Sequence, residues 1–254
     1  MAFHAATPTA PEETRGRELF RILSAAAALT VAGALAAAVL APPDAVQGQW
    51  QRLMYVHVPA AWLAYLCFAG VLGACVMDLR RPSRGSVRWA TAAAEVGVAA
   101  TAVTLVSGSV WGRGVWGVWW TWDARLVSTA VMFLLYLAYV ALLRTDADAG
   151  QVRRRTAVFG CAAFVIVPVV HFSVLWWHTL HQRPTILDAT SGPPPIDPRM
   201  ALALSLAVVA VSVIGLLAVL LRVEALGRRA RTSGRTSAAP APVEEAAPAT
   251  VRSR

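Results

Sequence analysis

Residues 111–128 read WGRGVWGVWWTWDARLVS and contain five of the ten tryptophans of the chain, with long apolar runs on both sides. A tryptophan at a membrane–water boundary buries its ring and keeps its N–H hydrated, so one or two of them indicate only an interfacial aromatic belt. Five in so short a segment, among glycines that allow close packing, favour the lining of a site for a large, flat, apolar ligand such as a porphyrin. The same composition predicts that this segment is not an ordinary helix.

The composition of the whole chain is that of a membrane protein. Of its 254 residues, 57% are hydrophobic and 15% are charged, and the mean hydropathy is +0.55. Six apolar runs have the length of a membrane span, and we expect them at 22–41, 58–79, 89–110, 126–143, 156–177 and 200–221. The predicted fold is therefore an all-α membrane protein of six transmembrane helices, with a periplasmic tryptophan-rich loop between the third and the fourth.

The domain organisation follows from these runs. We expect a disordered cytoplasmic N-terminus at 1–18, a six-helix transmembrane domain at 19–222 and a disordered cytoplasmic tail at 223–254, which is rich in Arg, Ala and Pro without periodicity. The first run resembles a signal peptide in its arginines and small residues. Its length of about twenty residues exceeds a typical signal core and favours retention as a helix.

The placement of the arginines predicts the orientation in the membrane. The formal charge is +9 and the chain has no lysine, so every positive charge is an arginine. Most of the arginines lie in the N-terminus, the second and fourth loops and the tail, and the opposite side has five: Arg52, Arg113, Arg125, Arg183 and Arg199. The positive-inside rule then places both termini in the cytoplasm and the tryptophan-rich segment in the periplasm. The basic balance is thus a topology signal, and we expect no nucleic-acid binding.

Histidines are the candidate metal ligands. His57, His171, His178 and His181 all fall on the predicted outer side, whereas the three cysteines lie inside apolar runs without a CxxC motif. His57 and His181 come from different spans but the same leaflet, and two neutral imidazoles on opposite faces of a macrocycle can ligate haem iron. If the stretch around His181 is helical, His178 shares its face and is either an alternative ligand or a rim residue.

Three motifs resemble those of the CcmC family, haem-handling membrane proteins of bacterial cytochrome c maturation. They are MYVHVPAAW at 54–62, GSVWGRGVWGVWWTWDARLVS at 108–128 and SVLWWHTLHQ at 173–182. The second contains the long pattern that defines the wider WWD-domain family, formed here by Trp116, Gly117, Trp119, Trp120, Trp122, Asp123 and Arg125. One departure is His178, which stands where the family pattern WWNTLHQ has an asparagine.

The resemblance implies a function, a ligand set and partners. It implies that His57 and His181 are the axial ligands of haem b iron and that the tryptophan-rich segment presents haem to the periplasmic haem chaperone CcmE. It also implies a location in the bacterial inner membrane, with the ABC-type ATPase pair CcmA and CcmB and the small protein CcmD as partners. The sequence shows no nucleophile–base set, phosphate loop or paired carboxylates, so we expect a haem handler rather than an enzyme. The alternatives are a haem lyase that attaches haem to apocytochrome and a transmembrane haem exporter.

Other polar residues have open roles at the level of sequence. Trp116, Trp119, Trp120 and Trp122 are expected to pack on the porphyrin, and the outer arginines, Arg125 first among them, to bind its propionates. Asp123 is predicted to be the N-cap of the fourth helix, with an orienting hydrogen bond as the functional alternative. Glu95, inside the third span on the cytoplasmic half, is expected to make a packing or partner-helix contact.

Overall fold

The computed structural model describes residues 10–145, 150–181 and 196–237. Within these ranges the chain forms seven α-helices and a short 3₁₀ helix, Gln49–Leu53, which directly precedes the second α-helix. The α-helices are α1 (Ala10–Leu40), α2 (Met54–Arg80), α3 (Arg84–Trp116), α4 (Ala124–Leu143), α5 (Gly150–Ala163), α6 (Ile166–Trp176) and α7 (Pro198–Ser237).

Six helical segments of the described chain are long and apolar enough to cross a membrane, which confirms the predicted fold class. The fifth of them consists of α5 and α6, which are separated by a break at Phe164 and Val165. The sequence predicted a kink from Pro168, and in a regular helix the ring of this proline would clash with the carbonyl group of Phe164, four residues earlier, which explains the break. There the backbone forms tighter bonds, such as Phe164 N–H to the Cys161 carbonyl oxygen at 3.3 Å.

The tryptophan-rich segment is partly helical, which corrects the expectation from its composition. Helix α3 continues to Trp116, and Gly117 ends it with φ 76° and ψ 2° in the left-handed region. Glycine adopts this conformation without the Cβ clash that other residues suffer, so it is a favoured helix terminator. The loop that joins α3 to α4 is therefore confined to 117–123.

The helices at the two ends of the chain are longer than predicted. Helix α1 begins at Ala10 and α7 continues to Ser237, so both helices extend into the terminal segments for which the sequence predicts disorder. Both helix ends are polar and basic, so the apolar runs in the sequence end before the helices do. Disorder is also predicted for residues 1–9 and 238–254, which lie outside the described residues.

The core lies between α2, α3, α4 and α5. The rings of Phe68 on α2 and Tyr136 on α4 stack with centroids 3.5 Å apart. Gly97 of α3 allows this approach, because a Cβ there would lie 2.6 Å from the Phe68 ring. Small residues at such crossings let helix backbones come close, which is the main source of packing energy in a bilayer. Helices α1 and α7 pair beside this core around a second cluster that includes Tyr55 and Met200.

Ion pairs connect helices at the predicted cytoplasmic end. Glu95 of α3 accepts from the Arg222 guanidinium of α7 at 3.0 Å, and Arg144 lies 3.6 Å from the same carboxylate. Asp78 of α2 accepts from Nε of Arg153 at 2.8 Å. Glu95 thus contacts other helices of its own chain, in agreement with the expectation of a packing contact.

Candidate functional site

A cleft of about 710 Å³, including its mouth, opens where α2, α3 and α4 approach the 117–123 loop. Six of the eight residues predicted for the site line it: His57, His181, Trp116, Trp119, Trp120 and Arg125. Residues that the sequence places on separate helices and loops therefore surround one space.

His57 enters the cleft from the first turn of α2. Its Nδ1 lies 3.0 Å from the Thr104 carbonyl oxygen of α3 and 3.3 Å from Ser107 Oγ. A carbonyl oxygen can only accept, so Nδ1 carries the hydrogen and Nε2 keeps a free lone pair. Gly108 makes room for the ring, because a Cβ there would lie 2.8 Å from Cε1 of His57. The ring is thus fixed in the tautomer that a metal ligand needs.

His181 reaches the same cleft from the segment that follows α6. Its Nδ1 is buried and has no hydrogen-bond partner among the described residues, although Oδ2 of Asp123 lies 3.7 Å away. Burial and, to a smaller extent, the positive charge of Arg125 lower the pKa of His181 to about 4, although Asp123 raises it. At neutral pH the ring is therefore uncharged and one of its two nitrogens has a free lone pair, so the ring is a competent ligand.

The tryptophans divide into two groups. Trp116, Trp119 and Trp120 line the cleft, and Trp116 meets the His181 ring edge-on with centroids 5.6 Å apart. Nε1 of Trp120 is buried without a partner among the described residues, so a donor is available. Trp122 does not line the cleft: its side chain is 86% exposed and touches Trp120 edge-on at 5.9 Å. The structure therefore places Trp122 at the outside of the loop.

Asp123 is not one of the residues that line the cleft. Its Oδ1 accepts the Leu126 N–H at 2.9 Å, which confirms the predicted N-cap of α4. Its Oδ2 accepts from the Leu180 N–H at 3.4 Å, and this contact ties the α4 start to the segment that carries His181. The capping contact and the contact with Leu180 thus use different oxygens of one carboxylate.

The outer arginines are not equivalent. Arg125 lines the cleft, and among the described residues its guanidinium forms no hydrogen bond or salt bridge. Arg52 instead donates to the Ala38 carbonyl oxygen at 2.8 Å near the end of α1, and Arg113 donates to the Gly117 carbonyl oxygen. Arg183 lies outside the described residues. Of the candidates for anionic groups that lie among the described residues, Arg125 is the one that lines the cleft.

The remaining outer histidines stand apart from the cleft. His178 is exposed in a non-helical stretch after α6, so it does not share a helical face with His181. His171 is also exposed, on α6, with its ring 6.0 Å from that of Tyr65. The two-histidine arrangement thus consists of His57 and His181. No cluster of three or more His, Cys, Asp or Glu side chains that suits a metal ion occurs in the described ranges.

Sequence reasoning did not find the residues that hold His57 in place. The Thr104 carbonyl and Gly108 fix its ring, and Trp111 packs edge-on against it at 5.6 Å while its Nε1 donates to Gln47 at 2.9 Å. The run of Ser and Gly at 107–109 was a signal for close approach of another element. Which element approaches is decided only by the tertiary register of α2 against α3.

The chemistry of this donor set fits haem. Two imidazoles with available nitrogen lone pairs, indole rings and one unpaired guanidinium match an iron, a flat apolar macrocycle and carboxylate groups, respectively. Nδ1 of His181 is buried without a hydrogen-bond partner among the described residues. A ligand bound at the other ring nitrogen would complete this arrangement. Fold and cleft together define a multi-pass α-helical membrane protein with an imidazole-lined cleft at one end of its helices.

Comparison with known proteins identifies the family. The chain matches the family model of heme exporter protein C, CcmC, over residues 1–237 and belongs to this family. It is 38% identical over 173 residues to heme exporter protein C of Bradyrhizobium diazoefficiens, with 65% of this chain and 63% of that protein covered. To heme exporter protein C of Escherichia coli K12 it is 36% identical over 160 residues, with 63% of each chain covered.

A plant relative extends the comparison. The putative cytochrome c biosynthesis ccmC-like mitochondrial protein of Marchantia polymorpha is 37% identical over 147 residues, with 58% of this chain and 62% of that protein covered. In each of these relatives the chain spans slightly less than two thirds of the length. The comparisons thus show the family of this chain, which spans only part of the length of these relatives.

Proposed function

We propose that this protein binds haem at the periplasmic face of the bacterial inner membrane and delivers it to the haem chaperone CcmE during cytochrome c maturation. The observation that carries the proposal is that His57 and His181, from distant parts of the chain, line one cleft together with three tryptophans and Arg125. Membership of the heme exporter protein C family supports haem as the ligand.

Each group has a distinct role in this proposal. Haem supplies an iron with two axial positions, an apolar ring and two propionates. Nε2 of His57 is the ligand from α2, because its Nδ1 is engaged by Thr104. His181 would supply the second ligand. The indole rings that line the cleft, Trp116, Trp119 and Trp120, would pack against the macrocycle, and Arg125 would bind a propionate by a charge-assisted hydrogen bond. Trp122, exposed outside the cleft, is available to the chaperone.

The orientation and the partners are part of the same proposal. The distribution of arginines supports cytoplasmic termini and a periplasmic cleft. The protein then works with the ABC-type ATPase pair CcmA and CcmB and with CcmD, and it acts as a haem handler, not as an enzyme. Ligation, packing and propionate binding all position haem and require no covalent chemistry from the chain itself.

Haem content of the purified protein tests the proposal. The double variant His57→Ala with His181→Ala is expected to lose its haem absorbance. Its affinity for haem should fall by more than roughly 10–100-fold, which is the usual effect of losing an outer-shell partner of a metal ligand. The matched control is His178→Ala, an exposed imidazole three residues from His181 and outside the cleft, which is expected to keep its haem. Unchanged haem content in the double variant would contradict the ligand assignment.

The two alternatives give different results in reconstituted systems. An exporter would move haem into sealed vesicles that contain this protein alone, and a lyase would attach haem to apocytochrome without a chaperone. The proposed handler does neither, and transfers haem to CcmE when CcmE is added. Either of the first two results would replace the proposal.

A further inference from the structure

Asp123 is a largely buried carboxylate whose two oxygens make different contacts. Oδ1 caps α4 through the Leu126 N–H at 2.9 Å. Oδ2 faces three donors: the Thr121 hydroxyl at 3.3 Å, the Leu180 N–H at 3.4 Å and Nδ1 of His181 at 3.7 Å. The side chain is 9% exposed. A carboxylate in this position needs hydrogen-bond donors because burial deprives it of water.

The contacts of Oδ2 are all longer than an optimal bond to a carboxylate. Charge-assisted bonds from nitrogen to oxygen are usually about 2.7–2.9 Å. Nδ1 of His181 is at the same time a buried polar atom without a hydrogen-bond partner among the described residues. Nδ1 of His181, a donor without an acceptor, thus faces Oδ2 of Asp123, an acceptor whose contacts are long. A movement of less than about 1 Å would bring the two atoms to the usual bond length.

His57 is held in another way. Its Nδ1 is bonded to the Thr104 carbonyl oxygen, a neutral acceptor that belongs to the backbone of α3. His181 lies outside any helix, on the segment after α6, and faces a carboxylate instead. A carboxylate partner increases the electron donation of an imidazole ligand more than a neutral carbonyl does, since it attracts the Nδ1 hydrogen more strongly. The two imidazoles are therefore chemically unequal.

We propose that Asp123 is a positioning residue that orients His181 and strengthens it as a ligand, while the same side chain caps α4. Oδ2 accepts the Nδ1 hydrogen and thereby keeps the lone pair on Nε2, the nitrogen that faces the cofactor. The Leu180 contact holds the segment at the level of the cleft. This inference rests on the proposed function, because it concerns the second ligand of the same site.

The substitution Asp123→Asn separates the two roles of the side chain. Asparagine is as good an N-cap as aspartate, so the bond from the Leu126 N–H is kept. Its amide group then replaces Oδ2 with a donor that faces the Nδ1 position. A donor at that position favours the tautomer of His181 with its hydrogen on Nε2, and this tautomer cannot ligate iron through Nε2. A related loss of the correct tautomer follows the same exchange in the serine protease triad.

The experiment measures the midpoint potential and the visible spectrum of haem bound to the purified full-length protein. A carboxylate partner favours ferric iron by making the ligand more basic. We expect Asp123→Asn to raise the preference for ferrous iron about tenfold, which is about 59 mV for a one-electron couple. Conversion of the six-coordinate spectrum to a five-coordinate one, with an unchanged unfolding temperature, equally supports the proposal. An unchanged potential and spectrum would overturn it.

Two further variants make the result specific. Asp44→Asn removes a carboxylate from the loop between α1 and α2, where Asp44 accepts from the Gln47 N–H at 2.7 Å, and it is expected to leave the potential unchanged. Asp123→Ser keeps a capping oxygen but is too short to replace Oδ2. It is expected to behave like Asp123→Asn. Equal shifts in Asp44→Asn, or a wild-type potential in Asp123→Ser, would reduce Asp123 to its capping role.

Failure of this inference and failure of the proposed function are distinguishable. If the wild-type protein binds haem and loses it in the His57→Ala, His181→Ala variant, the proposed function stands whatever Asp123 does. If the wild-type protein binds no haem, the proposed function fails, and the assignment of Asp123 fails with it.

Discussion

The imidazole of His181 is kept neutral by its surroundings, and this has a cost at low pH. Burial and the Arg125 charge lower its pKa to about 4 in the folded, haem-free protein. A histidine in an unfolded chain titrates near about 6.5, so the unfolded chain binds this proton first as the pH falls. The stability that the neutral imidazole contributes is complete above about pH 6.5 and is lost as the pH falls toward 4.

The predicted pH dependence is measurable by thermal unfolding in detergent. The haem-free protein is expected to lose stability between about pH 6.5 and pH 4, by at most about 3 kcal/mol from this residue. The variant His181→Gln has no titrating group at position 181, so its stability is expected to change less over the same pH interval. The same pH slope in the wild type and in this variant would contradict the prediction. Below pH 4 the two slopes should coincide.

Single residues also show how far the sequence could lead. The two histidines, the cleft tryptophans and the N-cap role of Asp123 were visible as residue types at informative places in the chain. The partner of His57 was not visible, because the Thr104 carbonyl belongs to the backbone and leaves no trace in residue identity. Trp122 was grouped with its neighbours by sequence alone, although the 117–123 loop turns it outward to 86% exposure.

Helix α3 positions His57 through a residue that has no side chain. A Cβ at Gly108 would lie 2.8 Å from Cε1 and 3.2 Å from Nδ1 of His57. Both distances are shorter than ordinary van der Waals contact, so the ring must move away from α3 and from the Thr104 carbonyl. The close crossing of α2 and α3 at Gly108 thus sets the position of the first ligand.

Gly108→Ala tests this dependence. We expect haem affinity to fall by roughly 10–100-fold, the effect typical of a lost outer-shell contact to a metal ligand, which titration of the haem-free protein with haem would measure. The matched control is Gly73→Ala in α2, where a Cβ meets nothing within 4 Å and no loss of affinity is expected. Equal affinities in both variants would show that α3 does not set the position of His57.

The helices themselves were predictable because six apolar runs have spanning length, but their ends were not. Helix α3 takes up Trp111 and Trp116 because the left-handed Gly117, not the first tryptophan, ends it. At the other end of the molecule, α7 continues beyond the apolar run to Ser237, and Arg222 within it pairs with Glu95 of α3 at 3.0 Å. A partner that lies 127 positions away cannot be read from local composition.

The molecule as a whole separates its chemistry between the two ends of the helices. The cleft and its imidazoles lie at the end of the helices that carries the 117–123 loop, and the Glu95–Arg222 and Asp78–Arg153 ion pairs lie toward the other end. Charged pairs between helices are stable in a bilayer when each charge has a partner. They hold α3 against α7 and α2 against α5 without any contribution to the cleft.

This separation predicts which loops a membrane-impermeant thiol reagent reaches in intact cells. In a variant with Cys67, Cys75 and Cys161 replaced by Ala, a single cysteine at Val46 is expected to be labelled from the periplasm. Val46 is 92% exposed in the connection between α1 and α2, at the same end of the helices as the 117–123 loop. A single cysteine at Arg84, exposed at the start of α3, is expected to react only after the membrane is permeabilised. Labelling of Arg84→Cys but not Val46→Cys in intact cells would place the cleft in the cytoplasm. Delivery of haem to a periplasmic chaperone would then be impossible, although the ligand set would stand.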